Sequence, residues 1–247
     1  MKRFPLVTAH TGCLGNKEHS LGSLHSALAL GADIYEDDIR VTRDGGLVLS
    51  HDDEVLLTDG RQGRIADMTL TELHESLAEP LPDLETVLRL VKAAGKTMNL
   101  DIKTADSLEP AFALIARLDM AKQVFLSGCE YPAAIEADRY GRHISKLLNV
   151  DINSFQRMKY ADAAQKACAE GRETGCFGLN VPYQLVRPEL LEIAERESLA
   201  VYVWTVSDAA DMRRMAEMGV ASITTREVAK LMAVKAEWNL QRRVTVE

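Results

Sequence analysis

The chain has 247 residues, of which 47% are hydrophobic and 27% are charged, and its formal net charge is −8. A chain of this length can bury a substantial core without disulfide bonds. The negative charge argues against nucleic acid or an anionic membrane as a partner. No apolar stretch approaches the roughly 20 residues of a membrane span, so we expect no stable membrane insertion.

The four cysteines have neither a Cys-x-x-Cys spacing nor the spacing of a zinc finger. They are therefore predicted to be free thiols in a reducing compartment. The apolar run at the N-terminus is too short for a signal peptide, so we expect a cytoplasmic protein.

Strand and helix patterns alternate along the chain. Strands are predicted at 4–9, 33–39, 98–102, 123–127, 145–150, 176–181, 200–206 and 221–224. Helices are predicted at 20–31, 83–94, 107–118, 131–140, 156–170, 188–198, 209–218 and from 226 onward, with a loose tail at 241–247. A capping box at 69–72 predicts the start of a further short helix. Eight strands that alternate with helices indicate the α/β class and a (β/α)₈ TIM barrel. The alternative is an open doubly wound sheet, which the absence of Gly-x-Gly-x-x-Gly after the first strand disfavours.

A small hairpin insertion is predicted after the second strand. Glu36 and Asp38 lie two residues apart on that strand and therefore share one face. The Asp-Gly-Gly turn at 44–46 reverses the chain into the apolar run 47–49, which leads to His51. No linker or change of composition follows, so we predict a single domain over residues 1–247.

Active sites of such barrels lie at the carboxyl ends of the strands. The polar or aromatic residues predicted there are His10, Glu36, Asp38, His51, Asp101, Lys103, Ser127, Asp151, Asn153, Asn180, Trp204, Thr205 and Thr224. Glu36, Asp38 and Asp101 would repel one another without a cation, which indicates a divalent metal site.

Several of these residues also have a purely structural interpretation. Lys103 shares the face of Asp101 and is either its ion-pair partner or part of the site, and Trp204 is either core or a substrate wall. The four remaining histidines are interpreted as ordinary polar residues in or beside helices and in a loop. These are His19, His25, His74 and His143.

Spaced motifs make the chain similar to one known family. The motifs, in chain order, are His10-Thr11-Gly12, Lys17-Glu18-His19-Ser20, Gly31-Ala32-Asp33, Glu36-Asp37-Asp38, Thr42-Arg43-Asp44-Gly45, His51-Asp52, Asp101-Ile102-Lys103, Trp204-Thr205-Val206 and Gly219-Val220. Over nearly its whole length the sequence resembles the glycerophosphodiester phosphodiesterase family, a group of (β/α)₈ barrels.

The resemblance implies a metal-dependent phosphodiesterase that acts on a small-molecule phosphodiester and releases a phosphomonoester such as glycerol 3-phosphate. It implies that Glu36, Asp38 and Asp101 bind Mg²⁺ or Ca²⁺, and that His10 and His51 form the acid–base pair. The residues implied to contact substrate or phosphate are Glu18, Lys103, Thr11 and Trp204.

Three departures from the family pattern bear on the substrate. Thr11 stands where the family has arginine, and a threonine cannot reproduce a bidentate phosphate clamp. The Pro-Glu-Asn-Thr motif is kept only at Glu18 and loosely at Ser20, and Asp101 stands where many members have Glu.

The sequence leaves other functions open. One alternative keeps the chemistry but acts on a sugar phosphodiester or a lysophospholipid. Another is a catalytically silent member that binds phosphodiesters. An unrelated barrel enzyme such as an aldolase would need a Schiff-base lysine, and the carboxylates beside Lys103 would raise its pKa rather than lower it. A homo-oligomer is compatible with the sequence.

Overall fold

The computed structural model describes the chain over residues 3–244. Within this range eight parallel strands form a closed barrel. They are β1 (Leu6–His10), β2 (Ile34–Val41), β6 (Thr97–Ile102), β7 (Val124–Ser127), β8 (Ser145–Asn149), β9 (Gly178–Pro182), β10 (Ala200–Trp204) and β11 (Ser222–Thr225). Neighbours in this order pair with one another, and β1 also pairs with β11, which closes the barrel and confirms the predicted fold.

Helices surround the barrel. They are α1 (Leu21–Ala29), α2 (Leu70–Ser76), α3 (Leu84–Ala93), α4 (Leu108–Arg117), α5 (Tyr131–Ala137), α6 (Ile152–Arg157), α7 (Tyr160–Glu173), α8 (Pro188–Arg196), α9 (Ala209–Met218) and α10 (Val228–Val244). The predicted starts of α1 and α2 are confirmed. Ser20 accepts a hydrogen bond from the Ser23 amide, and Thr69 and Glu72 form a capping box.

The barrel interior is mostly apolar toward the amino ends of the strands and polar at their carboxyl ends. Alternation along β2 points Ile34, Glu36 and Asp38 to one face. Ile34 belongs to a buried cluster with aromatic rings of neighbouring strands, in which Phe125 and Tyr202 meet edge to face at 5.7 Å. This cluster fills the lower barrel beside the buried hydroxyl pair of Thr8 and Ser222, so the polar groups at the carboxyl ends of the strands lie above a mostly apolar layer.

The insertion after β2 is larger than the sequence predicts. β3 (Leu47–Leu49) pairs antiparallel with the end of β2, as expected. The following residues, expected to be a polar loop, form a second hairpin of β4 (Glu54–Leu56) and β5 (Gln62–Arg64). Gly60, at a φ of 84°, adopts the left-handed conformation that its turn requires.

Other differences are local. The helix expected at 156–170 is two helices, α6 and α7, because Met158 is extended between them. The expected tail at 241–247 is helical as far as Val244, and residues 245–247 lie outside the described residues. All four cysteines are free and buried. Among the described residues, no helix combines the length and the apolar character that crossing a bilayer requires.

Candidate active site

A cavity of about 320 Å³ opens at the carboxyl ends of the barrel strands. Eight of the nine site residues predicted from the sequence line it. They are His10, Glu18, Glu36, Asp38, His51, Asp101, Lys103 and Trp204. Strands distant in sequence therefore deliver their polar side chains to one place.

Thr11 is the ninth, and its side chain lies elsewhere. It is fully buried, and its hydroxyl oxygen accepts a hydrogen bond from the His19 amide at 2.7 Å. Asp151 and Asn153 are also absent from the described cavity lining, contrary to the expected position at the rim. Asp151 instead caps α6 by accepting hydrogen bonds from the Asn153 amide and the Ser154 hydroxyl.

Three carboxylates converge on one side of the cavity. Asp38 and Asp101 are directly paired on β2 and β6, and they and Glu36 each offer an oxygen within 4.8 Å of the others. Burial, followed by the charges of Asp38 and Asp101, raises the pKa of Glu36 well above its usual range. Lys103 compensates part of this charge, because its Nζ lies 2.7 Å from Asp38 and 2.8 Å from Asp101.

The carboxylate cluster fits a hard divalent cation. Its donors are carboxylate oxygens, which Mg²⁺ and Ca²⁺ prefer. Oε2 of Glu36 is buried and has no hydrogen-bond partner among the described residues, although a buried oxygen normally has one. A bound cation would satisfy this oxygen and offset the repulsion among the three charges.

His10 is largely buried beside this cluster. Its Nδ1 lies 2.9 Å from the carbonyl oxygen of Thr11 and 3.8 Å from Glu36. Because a carbonyl oxygen only accepts, Nδ1 carries the hydrogen and the neutral ring has its lone pair on Nε2. Burial is the main cause that lowers the pKa of His10, with the charge of Arg226 contributing, and this favours the neutral ring.

His51 lies on the insertion and is more accessible, with 62% of its side chain exposed. Its Nδ1 lies 2.8 Å from Oδ1 of Asp52, and the Arg40 side chain donates two hydrogen bonds to the His51 carbonyl oxygen. These contacts fix the backbone and the ring orientation, and they leave Nε2 available to a ligand.

A buried hydrogen-bond network around Asp37 lies on the face of β2 opposite Glu36 and Asp38, and sequence reasoning missed it. His19, expected to be an ordinary polar residue, contacts Oδ1 of Asp37 at 2.6 Å, and its Nε2 lies 3.9 Å from Asp38. Asp37 also accepts from the Tyr35 hydroxyl and the Asp38 amide. His19, Asp37 and Asp38 have the spacing of a second cation site. The hydrogen bonds that His19 and the Asp38 amide make to Asp37 instead indicate a structural network that holds the backbone at Asp38.

Three further cavity residues were not predicted, namely Asn99, Asn149 and Arg226. The period-two spacing of Asn99 before Asp101 could have revealed the first. Its Oδ1 is buried without a partner among the described residues, and so is Nε1 of Trp204. Both atoms are therefore available to hydrogen-bond a ligand.

Comparison with known protein families gives a match over most of the chain. Residues 2–230 match the model of the glycerophosphoryl diester phosphodiesterase family. The chain belongs to this family. It is accordingly a phosphoric diester hydrolase.

Individual relatives are distant but cover most of the chain. A glycerophosphodiester phosphodiesterase of Caldanaerobacter subterraneus is 26% identical over 92% of this chain and 96% of its own. Among solved structures, a putative glycerophosphoryl diester phosphodiesterase from Silicibacter pomeroyi has a TM-score of 0.82 at 21% identity, covering 96% and 94% of the two chains. An Oleispira antarctica phosphodiesterase, solved with the product sn-glycerol-3-phosphate, has a TM-score of 0.74 at 23% identity, covering 94% and 96%. The two structural likenesses support the fold.

Proposed function

We propose that this family member hydrolyses a glycerophosphodiester to an alcohol and a phosphomonoester such as glycerol 3-phosphate, with a divalent cation as cofactor. One observation carries the proposal. The carboxylate cluster of Glu36, Asp38 and Asp101 lines the same cavity as His10 and His51. A site that hydrolyses a phosphodiester needs positive charge at the non-bridging oxygens and groups that move protons to and from the bridging ones.

Glu36, Asp38 and Asp101 would hold the cation. When bound, a divalent cation supplies Lewis-acid stabilisation of the charge on the phosphate oxygens. Lys103 adds a second positive charge, since its ammonium group lies against Asp38 and Asp101 at the cavity wall. Mg²⁺ and Ca²⁺ both suit the three oxygen donors.

The surroundings of the two histidines support different roles, since His10 is largely buried against a carbonyl oxygen and His51 is exposed beside the carboxylate of Asp52. Nε2 of His10 has the free lone pair and takes the proton of the substrate hydroxyl next to the phosphate, while that oxygen bonds to phosphorus. The bond from phosphorus to the departing alcohol breaks, and His51 donates a proton to that oxygen. Water then opens the cyclic phosphate with the two roles reversed, which regenerates both histidines.

The remaining polar atoms of the cavity support recognition of substrate hydroxyl groups. The free oxygen of Asn99 accepts a hydrogen bond, and Nε1 of Trp204 donates one. The indole ring also provides a flat wall for the carbon skeleton of a small alcohol.

A substrate panel tests the proposal. We expect metal-dependent release of glycerol 3-phosphate from glycerophosphodiesters, loss of turnover with chelator, and recovery with Mg²⁺ or Ca²⁺. Sugar phosphodiesters and lysophospholipids are the comparison substrates, and faster turnover of either class would replace the glycerophosphodiester assignment. Full activity in chelator would contradict the cation site.

The cellular compartment and the domain organisation of the enzyme are proposed as well. We propose that it works in the cytoplasm as a single barrel domain on small molecules. The four buried free thiols support a reducing compartment. Fractionation of cells that express the full chain tests this, and recovery outside the cytoplasmic fraction would contradict it.

A further inference from the structure

We propose that Arg226, on the loop between β11 and α10, binds the phosphate group of the ligand and that Glu18 positions it. This inference rests on the proposed function, because it names how that site holds its anionic substrate. It assigns a substrate-binding role to a residue that none of the sequence motifs contains.

Arg226 is the less neutralised of the two fixed cations at the cavity. The cavity lining contains two residues with permanently cationic side chains, Lys103 and Arg226. Lys103 is already held between two carboxylates, Asp38 and Asp101, within 2.8 Å. Within the described part of the chain, Arg226 pairs with one carboxylate, that of Glu18, and 48% of its side chain is exposed. Arg226 is therefore the cation that an incoming anion can approach with less competition.

The guanidinium of Arg226 keeps N–H groups that can bind a ligand. Nε of Arg226 donates to the carbonyl oxygen of Thr11 at 3.3 Å, and Nη2 lies 2.5 Å from Oε1 of Glu18. A guanidinium has five N–H groups in a planar fork, so these two contacts leave donors for a ligand. That fork matches the spacing of two phosphate oxygens, which an ammonium group cannot do.

Arg226 lies across His10 from the carboxylate cluster. β11 and β2 flank β1 on its two sides, so Arg226 and the carboxylate cluster approach His10 from opposite sides. A phosphate above His10 would thus have the carboxylate cluster, which would hold the cation, on one side and the guanidinium on the other. This arrangement compensates for Thr11, whose position lacks the arginine found in the family pattern.

The local structure holds Arg226 in place. The Leu14 amide donates to the Arg226 carbonyl oxygen at 3.4 Å, so both backbone and side chain are tied to the loop after β1. Gly12, with a φ of 79°, makes room for Glu18, because a Cβ at this position would lie 2.8 Å from Cγ of Glu18. A binding group that is fixed before the ligand arrives loses less entropy on binding.

The test is titration of inorganic phosphate into the Mg²⁺-loaded protein by calorimetry. We expect Arg226→Ala to weaken phosphate binding roughly 10- to 100-fold, because a charge-assisted fork is lost, and Arg226→Lys to recover part of it. Arg213→Ala is the matched control. Arg213 is 46% exposed and pairs with Glu237 away from the cavity, so its loss should leave binding unchanged. Equal phosphate affinity in Arg226→Ala and wild type, or no phosphate binding by wild type at millimolar concentration, would overturn the inference.

Two further measurements distinguish phosphate binding by Arg226 from its positioning by Glu18. In diester hydrolysis, Arg226→Ala should raise KM by more than it lowers kcat. Glu18→Ala should weaken phosphate binding, and Glu18→Gln, which keeps an acceptor for the guanidinium, should recover most of it. No effect of Glu18→Ala would refute the positioning role. The titration does not depend on turnover, so an inactive wild type would refute the proposed function and leave the test of Arg226 standing.

Discussion

Nδ1 of His19 lies 2.6 Å from Oδ1 of Asp37, a carboxylate that is completely buried on the face of β2 opposite Glu36 and Asp38. Asp37 accepts two further hydrogen bonds, from the Tyr35 hydroxyl and the Asp38 amide. A buried carboxylate with these donors is tolerated, whereas one that loses its charged partner is costly. The pair therefore stabilises the strand that carries two of the candidate metal ligands.

This contact predicts strong coupling between the two residues. His19→Ala should lower the free energy of unfolding by about 3 kcal/mol, because the charge of Asp37 stays buried without its main partner. The double variant with Asp37→Asn should lose much less than the sum of the single variants. Urea unfolding at pH 7 measures all three. Additive losses would show that the two side chains do not depend on each other.

Glu36 should contribute to cation affinity but not to the stability of the metal-free protein. Because its carboxyl group is buried with an unpartnered oxygen, Glu36→Gln should leave the metal-free protein as stable as wild type or slightly more stable. Cation affinity should fall by more than about tenfold, since even outer partners of metal ligands contribute about 10–100-fold. Calorimetric titration with Mg²⁺ and thermal unfolding without it measure the two effects. Glu197→Gln, on an exposed ion pair, is the control, and unchanged Mg²⁺ affinity in Glu36→Gln would contradict the site.

The two histidines should be essential for turnover and dispensable for folding. His10→Ala and His51→Ala should each reduce kcat by about 10²–10⁴-fold, the usual contribution of a positioned acid or base. Circular dichroism and melting temperature should match wild type within a few degrees. His25→Ala on α1, which lies outside the cavity lining, serves as the control. Near wild-type turnover in either active-site variant would remove that histidine from the mechanism.

Cys129 should be unreactive in the folded protein. Burial raises the pKa of its thiol to about 12, so almost no thiolate is present at pH 8. Thiol reagents should modify it only after unfolding, which mass spectrometry of the labelled peptide detects. The folded state holds this proton more tightly than the unfolded state. Its contribution to stability is therefore complete below about pH 8.5 and is lost as the pH rises towards 12. The stability difference between wild type and Cys129→Ala should shrink over that range.

The barrel and most of the cavity lining follow from local sequence patterns. Apolar strands that alternate with amphipathic helices predict the fold, and polar residues at strand ends predict the lining, because both depend on short-range periodicity. The division between α6 and α7 does not follow, since the extended conformation of Met158 depends on packing rather than on a Gly or Pro signal. The β4–β5 hairpin is missed because its strands have only three residues each.

Local sequence patterns also fail to reveal residues that act through long-range contacts. His19 becomes important only because the loop after β1 folds over Asp37, and Thr11 is withdrawn from the cavity by the same fold. Arg226 has no motif of its own. Its role depends on the closure of the barrel, which brings it to a loop that lies about two hundred residues earlier in the chain.

We expect the closure of the barrel by β1 and β11 to decide when activity appears during synthesis. The carboxylate cluster and both histidines lie in the first half of the sequence, but the guanidinium that contacts Thr11 follows that residue by 215 positions. A nascent chain that lacks β11 has an open seam where β1 should be paired. We therefore expect turnover to require the closed barrel, and a ribosome-arrested chain ending before β11 should be inert even though it already contains every predicted metal ligand.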